Sequence, residues 1–311
     1  MKAIMYHYVR PYDPTYPYFR YLDVKDFISQ LEFLGNHYGL VNREDFLECV
    51  SEARPNSGVV LTFDDGFVDH YQYVLPELKR LGLWGIFYIP TAPLTTGRIM
   101  DVHRIHLLLG RYGGQEIADA LSRLIRNEML TPGLVEEFGT STYIQQDNEA
   151  SVNFVKRTLN YFIDIMYRTS VIDDLMAVYF PNEGELLQSV YMSRALLSEM
   201  HEEGMTLGSH SVNHPVMSRL TVEEQEYEIR ESFNVLETIT GNIPIRTFCY
   251  PYGGYQTFSR ETESLLERAS CQFSFNVESR DITRIDLAER RHALPRFDCN
   301  EFPYGTNQGI G

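Results

Sequence analysis

Val59-Val60-Leu61-Thr62-Phe63 runs straight into Asp64, Asp65 and Gly66. No other stretch constrains the fold as strongly. An apolar, β-branched run of this length, stopped by turn residues, reads as a buried strand that delivers both acids to its C-terminal end. α/β folds keep their chemistry at that end of their strands. Adjacent carboxylates in a pocket disfavour each other's ionisation, and desolvation adds to the effect, so a cation or a shared proton is expected beside them.

The chain offers residues for such a cation. Ser209-His210-Ser211-Val212-Asn213-His214 sets two imidazoles four positions apart, a spacing that brings both rings onto one ion if the segment turns. One Asp with two His leaves positions open for water and substrate, as a catalytic metal requires. Phe248-Cys249-Tyr250-Pro251-Tyr252-Gly253 follows downstream. Taken singly, an Asp-Asp-Gly is often turn chemistry, and a His-x-x-x-His pair is often a surface or core feature. The three together are not readily explained as coincidence.

In this order, Thr62-Phe63-Asp64-Asp65-Gly66, His210-Ser211-Val212-Asn213-His214 and Tyr250-Pro251-Tyr252-Gly253 resemble the first three motifs of the polysaccharide deacetylase family. These are metal-dependent N-deacetylases of chitin, peptidoglycan and related N-acetyl sugars. The first two motifs match position for position, the third only in its second half. The resemblance covers the chain to about residue 97 and again from about residue 190. It implies that Asp65, His210 and His214 hold one divalent metal, that Asp64 is the general base, and that the backbone N–H of Tyr252 donates to an oxyanion. It also implies a distorted barrel.

Three departures from the family pattern direct attention elsewhere. Cys249 stands where the family commonly has an arginine that orients the base; Arg296, in Leu294-Pro295-Arg296, is the expected replacement, with Arg246 as its rival. The family's Asp-and-Trp motif is not recognisable, since Trp84 is the only tryptophan and lies on a predicted strand. The C-terminal leucine-x-histidine motif is missing, because no histidine follows Arg296. In the family that histidine is the acid that protonates the leaving amine. Ala3-Ile4-Met5-Tyr6-His7 has the corresponding shape at the N-terminus, so His7 is expected in that role, with Met5 lining the acetyl pocket. A barrel closes on itself, so its first and last strands can be neighbours; some secreted family members beginning with a Tyr-His strand are similar. The remaining histidines carry less. His103 and His106 read as surface residues, His292 as part of a basic loop, and His37, His70 and His201 give no signal.

Strands alternate with amphipathic helices along most of the chain. After a strand at Ala3–Val9, a helix carrying Phe27, Leu31 and Leu34 is expected to close at Gly35 or Gly39, and Asn42 to cap the next. Further strands are predicted at Trp84–Ile89, Met205–Ser209, Arg246–Tyr250, Cys271–Val277 and Ala293–Phe297. Helices are expected through Tyr73–Leu81 and at Ser193–Glu203, Val222–Thr240 and Ser259–Ala269. The crossover lengths suit parallel strands. From Gly97 to about Phe180 the text is helical instead, with Ile117, Leu121, Leu124 and Ile125 on one face and Phe154, Leu159, Phe162, Ile163 and Met166 on another, the two runs separated by a Pro132-Gly133 turn and a polar stretch near Asp147. The reading is an α/β chain, residues 1–311, folded as a distorted, incomplete (β/α)7 barrel with a helical insertion at about 97–190; periodicity by itself also admits an open doubly wound sheet. The insertion's apolar face calls for a partner, whether the substrate site or a second subunit.

Composition narrows the function. At 311 residues and 43% hydrophobic, the chain supports one large core. A formal charge of −16 excludes nucleic acid and anionic membrane surfaces as partners, and leaves neutral sugars unaffected. Cys49, Cys249, Cys271 and Cys299 form no Cys-x-x-Cys pair and read as free buried thiols of a reducing compartment. No basic-then-apolar leader precedes the first strand and no run approaches membrane-spanning length, so a cytoplasmic protein is expected. The expected activity is metal-dependent removal of the N-acetyl group from an N-acetylated amino sugar, in a polymer or in a precursor of surface polysaccharide, with zinc favoured by the two imidazoles. The alternatives are an amidohydrolase of non-sugar amides and a catalytically silent carbohydrate-binding protein.

Overall fold

The structure, a computed structural model, describes residues 1–139 and 148–309. Its strands are β1 (Lys2–Tyr6), β2 (Val59–Phe63), β3 (Ile86–Ile89), β4 (Thr206–Ser209), β5 (Thr247–Cys249), β6 (Phe273–Phe275) and β7 (Phe297–Asp298). All pairings are parallel, in the order β6-β5-β4-β3-β2-β1-β7.

Alternate side chains go to two separate cores. On the outer face Ile4, Tyr6, Leu61, Phe63, Phe87 and Leu207 pack with Phe27, Leu31 and Leu34 of the helix Val24–His37, with Leu78 of Leu75–Leu81, and with Leu197 of Arg194–Glu202. On the inner face Ala3, Val60, Ile86, Tyr88, Cys249, Phe273 and Phe275 meet one another, joined by Phe46 of the helix Arg43–Glu52. Burial on both faces is why the strands read as apolar runs rather than as alternation. At Gly208 a Cβ would lie 2.5 Å from the Tyr88 ring, so the close approach of that ring to the backbone needs glycine there.

The curl is bridged by the C-terminal stretch. Leu294 pairs with Phe275 on one side, and Phe297 and Asp298 pair with Ile4 and Met5 on the other. Residues 294–298 thus link the β6 edge to the first strand, giving a distorted, incomplete (β/α)7 barrel. The last strand is shorter than expected because Arg291–Ala293 forms a 3₁₀ turn and Pro295 has no N–H for a ladder.

Helix boundaries follow local chemistry. The Asn42 side chain accepts the N–H of Asp45 at 2.9 Å, and Gly82 ends its helix with φ of 64°. The first helix runs through Gly35 to His37, and the left-handed turn falls at Gly39 with φ of 77°. Among the described residues no helix is long and apolar enough to cross a membrane.

Among the described residues, a second compact unit gathers residues 11–21, 98–139, 148–187 and 307–309. Its helices include Asp101–Tyr112, Gly114–Leu124, Ala150–Arg157 and Ile165–Tyr179. Ile117, Leu121, Leu159 and Ile163 are buried, whereas Met166 is 72% exposed. The split arises because Asp164 caps the helix that starts at Ile165, its side chain accepting the N–H of Met166, so Ile163 precedes the helix while Met166 lies in its first turn. Arg104 is buried and tied to Asp101 and Glu183. The polar stretch expected near Asp147 lies outside the described residues.

Candidate active site

The loops that follow β1, β2, β4 and β5 supply the chemistry-bearing residues. The N–H of Asp64 continues the β2 ladder onto the carbonyl of Tyr6 at 2.9 Å. Asp65 and Gly66 then take φ of 77° and 65°, so the chain reverses and the two carboxylates leave in different directions. Ser211, His214 and Tyr252 also have positive φ, at 64°, 54° and 63°. Such conformations cost non-glycine residues about 1–3 kcal/mol each and persist where surrounding structure holds them, commonly at functional sites.

Arg296, fully buried, faces Asp64. Its Nη1 donates to Asp64 Oδ1 at 2.8 Å and Thr62 Oγ1 at 3.0 Å; Nη2 donates to Asp64 Oδ2 and to Cys249 Sγ, each at 2.8 Å; Nε donates to the carbonyl of Asn276 at 3.2 Å. All five N–H groups of the guanidinium are used. Tyr88 and Phe275 lie against it, their ring centroids 5.8 Å away. Burial would raise the Asp64 pKa, yet the Arg296 charge and its hydrogen bonds outweigh that and hold it at about 2. Arg246, the rival, bonds the carbonyl of Ala269 and the carboxylate of Glu237 instead.

Asp65, His210 and His214 converge beside this pair. Asp65 Oδ1 lies 3.6 Å from Nε2 of each histidine, too far for a hydrogen bond. Ligands set tetrahedrally at about 2.0–2.2 Å from one ion lie about 3.3–3.6 Å apart, so the donor set fits a single divalent metal. His210 Nδ1 donates to the carbonyl of Cys249 at 2.8 Å, which leaves the Nε2 lone pair toward Asp65. Burial lowers the His210 pKa and keeps the ring neutral, as a ligand must be.

His7 directly follows β1. Its carbonyl accepts a 2.7 Å hydrogen bond from Nε2 of His70, a fully buried ring at the start of a π-helical turn, His70–Val74. The Tyr252 ring packs edge-on to His214, with centroids 4.9 Å apart. Two of the other histidines differ from expectation. His103 is buried within its helix, its ring 5.8 Å from that of His106, and not a surface residue. His292 is buried against Ser274 rather than in an exposed basic loop, and burial lowers its pKa to about 4.

Sequence reasoning missed Glu228. It lies on the helix Val222–Thr240, is buried, and accepts the N–H groups of Val212 and Asn213 within the His210–His214 loop. The available signal was a glutamate inside the apolar stripe that Gln225, Ile229, Ser232 and Phe233 make at helical spacing.

Residues 166–270, which carry His210, His214 and Tyr252, match the model of one protein family. That family is polysaccharide deacetylase. The resemblance read from the motifs is borne out, and the polysaccharide deacetylase match begins within the helical stretch that the motifs left out. A search of curated proteins finds no match. Among solved structures, Streptococcus pyogenes deacetylase PplD, in complex with acetate, superposes with a TM-score of 0.58 at 15% identity, covering 96% of this chain and 91% of that one. BC0361, a polysaccharide deacetylase from Bacillus cereus, gives 0.55 at 14% identity, covering 96% and 64%. The deacetylase domain of BpsB from Bordetella bronchiseptica gives 0.51 at 13% identity, covering 96% and 94%. These likenesses show the fold.

Proposed function

We propose that this chain is a metal-dependent hydrolase that removes the N-acetyl group from an N-acetylated amino sugar, in a polysaccharide, an oligosaccharide or a precursor of one. The observation that carries the reading is the juxtaposition of an arginine-held, ionised Asp64 with the Asp65, His210 and His214 donor set. The family match and the deacetylase names of the similar structures support it.

A divalent ion in that donor set, zinc by the two imidazoles, supplies Lewis acidity to the amide carbonyl and to water. Asp64 accepts the proton of the attacking water, and Arg296 keeps it ionised and aimed. The backbone N–H of Tyr252 donates to the oxygen on which negative charge develops. His7 gives a proton to the leaving amine nitrogen, a task suited to an imidazole near neutral pH. Met5, beside β7, lines the space for the acetyl methyl group.

The test is acetate release from a panel of N-acetyl sugars, their conjugates and short chitin or peptidoglycan fragments, with non-sugar amides as comparison. Turnover of a sugar that chelation abolishes and added metal restores is the expected result. Full activity after exhaustive chelation, or turnover confined to non-sugar amides, would overturn it.

A further inference from the structure

The metal-ligand loop is held from outside by one helix. Ser211 and His214 both sit in the left-handed region, so the loop needs fixing in a conformation that its sequence does not favour. Glu228 Oε2 accepts the N–H groups of Val212 and Asn213, both at 2.8 Å, and Oε1 accepts Asn213 Nδ2 at 2.6 Å. Two successive N–H groups after a left-handed residue form an anion-binding concavity, filled here by a buried side-chain carboxylate. Such charge-assisted bonds are roughly twice as strong as neutral ones. One helical turn on, Ser232 Oγ lies 2.5 Å from Ser209 Oγ, which accepts the N–H of Ser211 at 3.1 Å. Ser211 Oγ in turn accepts the N–H of His214 at 3.0 Å. The helix Val222–Thr240 therefore holds the chain on both sides of Ser211, through Ser209 before it and Val212 and Asn213 after it, and Ser211 Oγ holds the N–H of His214.

We infer that Glu228 and Ser232 are positioning residues that fix the His214 ligand and thereby set the metal affinity of the site, an inference that rests on the metal-site reading above. Neither residue belongs to the donor set; both act through the loop. Supporting residues of this kind typically contribute about 10- to 100-fold in metal affinity.

The experiment is titration of metal-free protein with Zn²⁺ against a chromophoric chelator, together with the absorption spectrum of the Co²⁺ form. E228Q keeps the shape but puts a donor where an acceptor stood. It should weaken Zn²⁺ binding by about 10- to 100-fold and change the Co²⁺ spectrum, while the metal-free protein still unfolds cooperatively. N213A, which leaves the backbone concavity intact, should fall between wild type and E228Q. Wild-type binding of one ion with unchanged affinity and spectrum in E228Q would overturn the proposal and leave the metal site standing. Wild type that binds no ion at one equivalent would overturn the metal-site reading itself. If E228Q does not fold, S232A and N213A carry the test, and wild-type affinity in both would overturn the proposal.

Discussion

Both carboxylate oxygens of Asp64 rest on the terminal nitrogens of Arg296, each at 2.8 Å, across 232 positions of sequence. The pair is buried, so removing the cation leaves a carboxylate that burial drives toward protonation. Arg296→Met should destabilise the protein by about 3–5 kcal/mol and move the acid limb of the kcat/KM profile to higher pH. Arg296→Lys keeps the charge but not the fork, so it should recover stability better than turnover. Thermal unfolding with pH–rate profiles of both variants checks this; an acid limb that stays put would show that Asp64 does not depend on Arg296.

The two acids of the Asp64-Asp65 pair should separate by experiment. Asp64→Asn leaves the donor set intact, so bound metal should remain while turnover falls by about 10²- to 10⁴-fold. His214→Ala or Asp65→Ala should instead lose the ion. Metal content by elemental analysis, beside turnover, distinguishes them, and equal metal loss in all three would refute the division of labour.

Much of this arrangement was legible because its signals are local. Val59–Phe63 could only be a buried strand, and Asp64, Asp65, His210 and His214 lie in contiguous blocks whose spacing carries the chemistry. What stayed hidden depends on tertiary neighbours. Arg296 could be named as a replacement for the arginine absent at Cys249, but that Cys249 Sγ accepts one of its N–H groups follows only from the bridging of β6 to β1 by residues 294–298. Glu228 is one glutamate among several on a long helix, and only its position within the buried stripe sets it apart. His70 gave no sign of its role, because its bond goes to a backbone carbonyl, which any residue at position 7 would present. The second unit's helices were legible from their periodicity, whereas the joining of residues 11–21 and 307–309 to them rests on tertiary contacts that no local pattern carries.

Buried His70 makes stability depend on pH in a definite direction. Burial holds its pKa at about 4, whereas the unfolded ring titrates near 6.5. Its contribution is therefore full above the unfolded value and is lost as pH falls from there toward about 4. Asp64 acts in a lower window, its contribution lost as pH falls from about 3.8 to about 2. The melting temperature should thus decline first between about 6.5 and 4. His70→Gln keeps an N–H for the carbonyl of His7 and should make that decline shallower, with His292, also held at about 4, supplying the remainder. A variant that follows the wild-type curve would remove His70 as its source.

His7 carries the most exposed claim about mechanism, because it stands at the opposite end of the chain from the family's usual acid. The topology makes the substitution workable. β1 lies between β2, which leads into Asp64 and Asp65, and β7, so the residue after β1 emerges beside both acids. Its loop is fastened to the one after β2 at several points: His70 Nε2 donates to its carbonyl, the Tyr8 ring stacks on Phe67 at 3.9 Å, and Arg10 grips Asp69 through two hydrogen bonds of 2.7 and 2.9 Å. A proton donor on so fixed a backbone meets the leaving nitrogen without reorganisation. His7→Ala should keep its metal and lose about 10²- to 10⁴-fold in turnover of an unactivated amide. An ester analogue, whose alkoxide leaving group needs a proton far less, should lose much less. Equal losses on amide and ester would assign His7 to substrate binding rather than to proton transfer, and wild-type turnover of the amide would return the acid role to Asp64, since His292 is buried against Ser274.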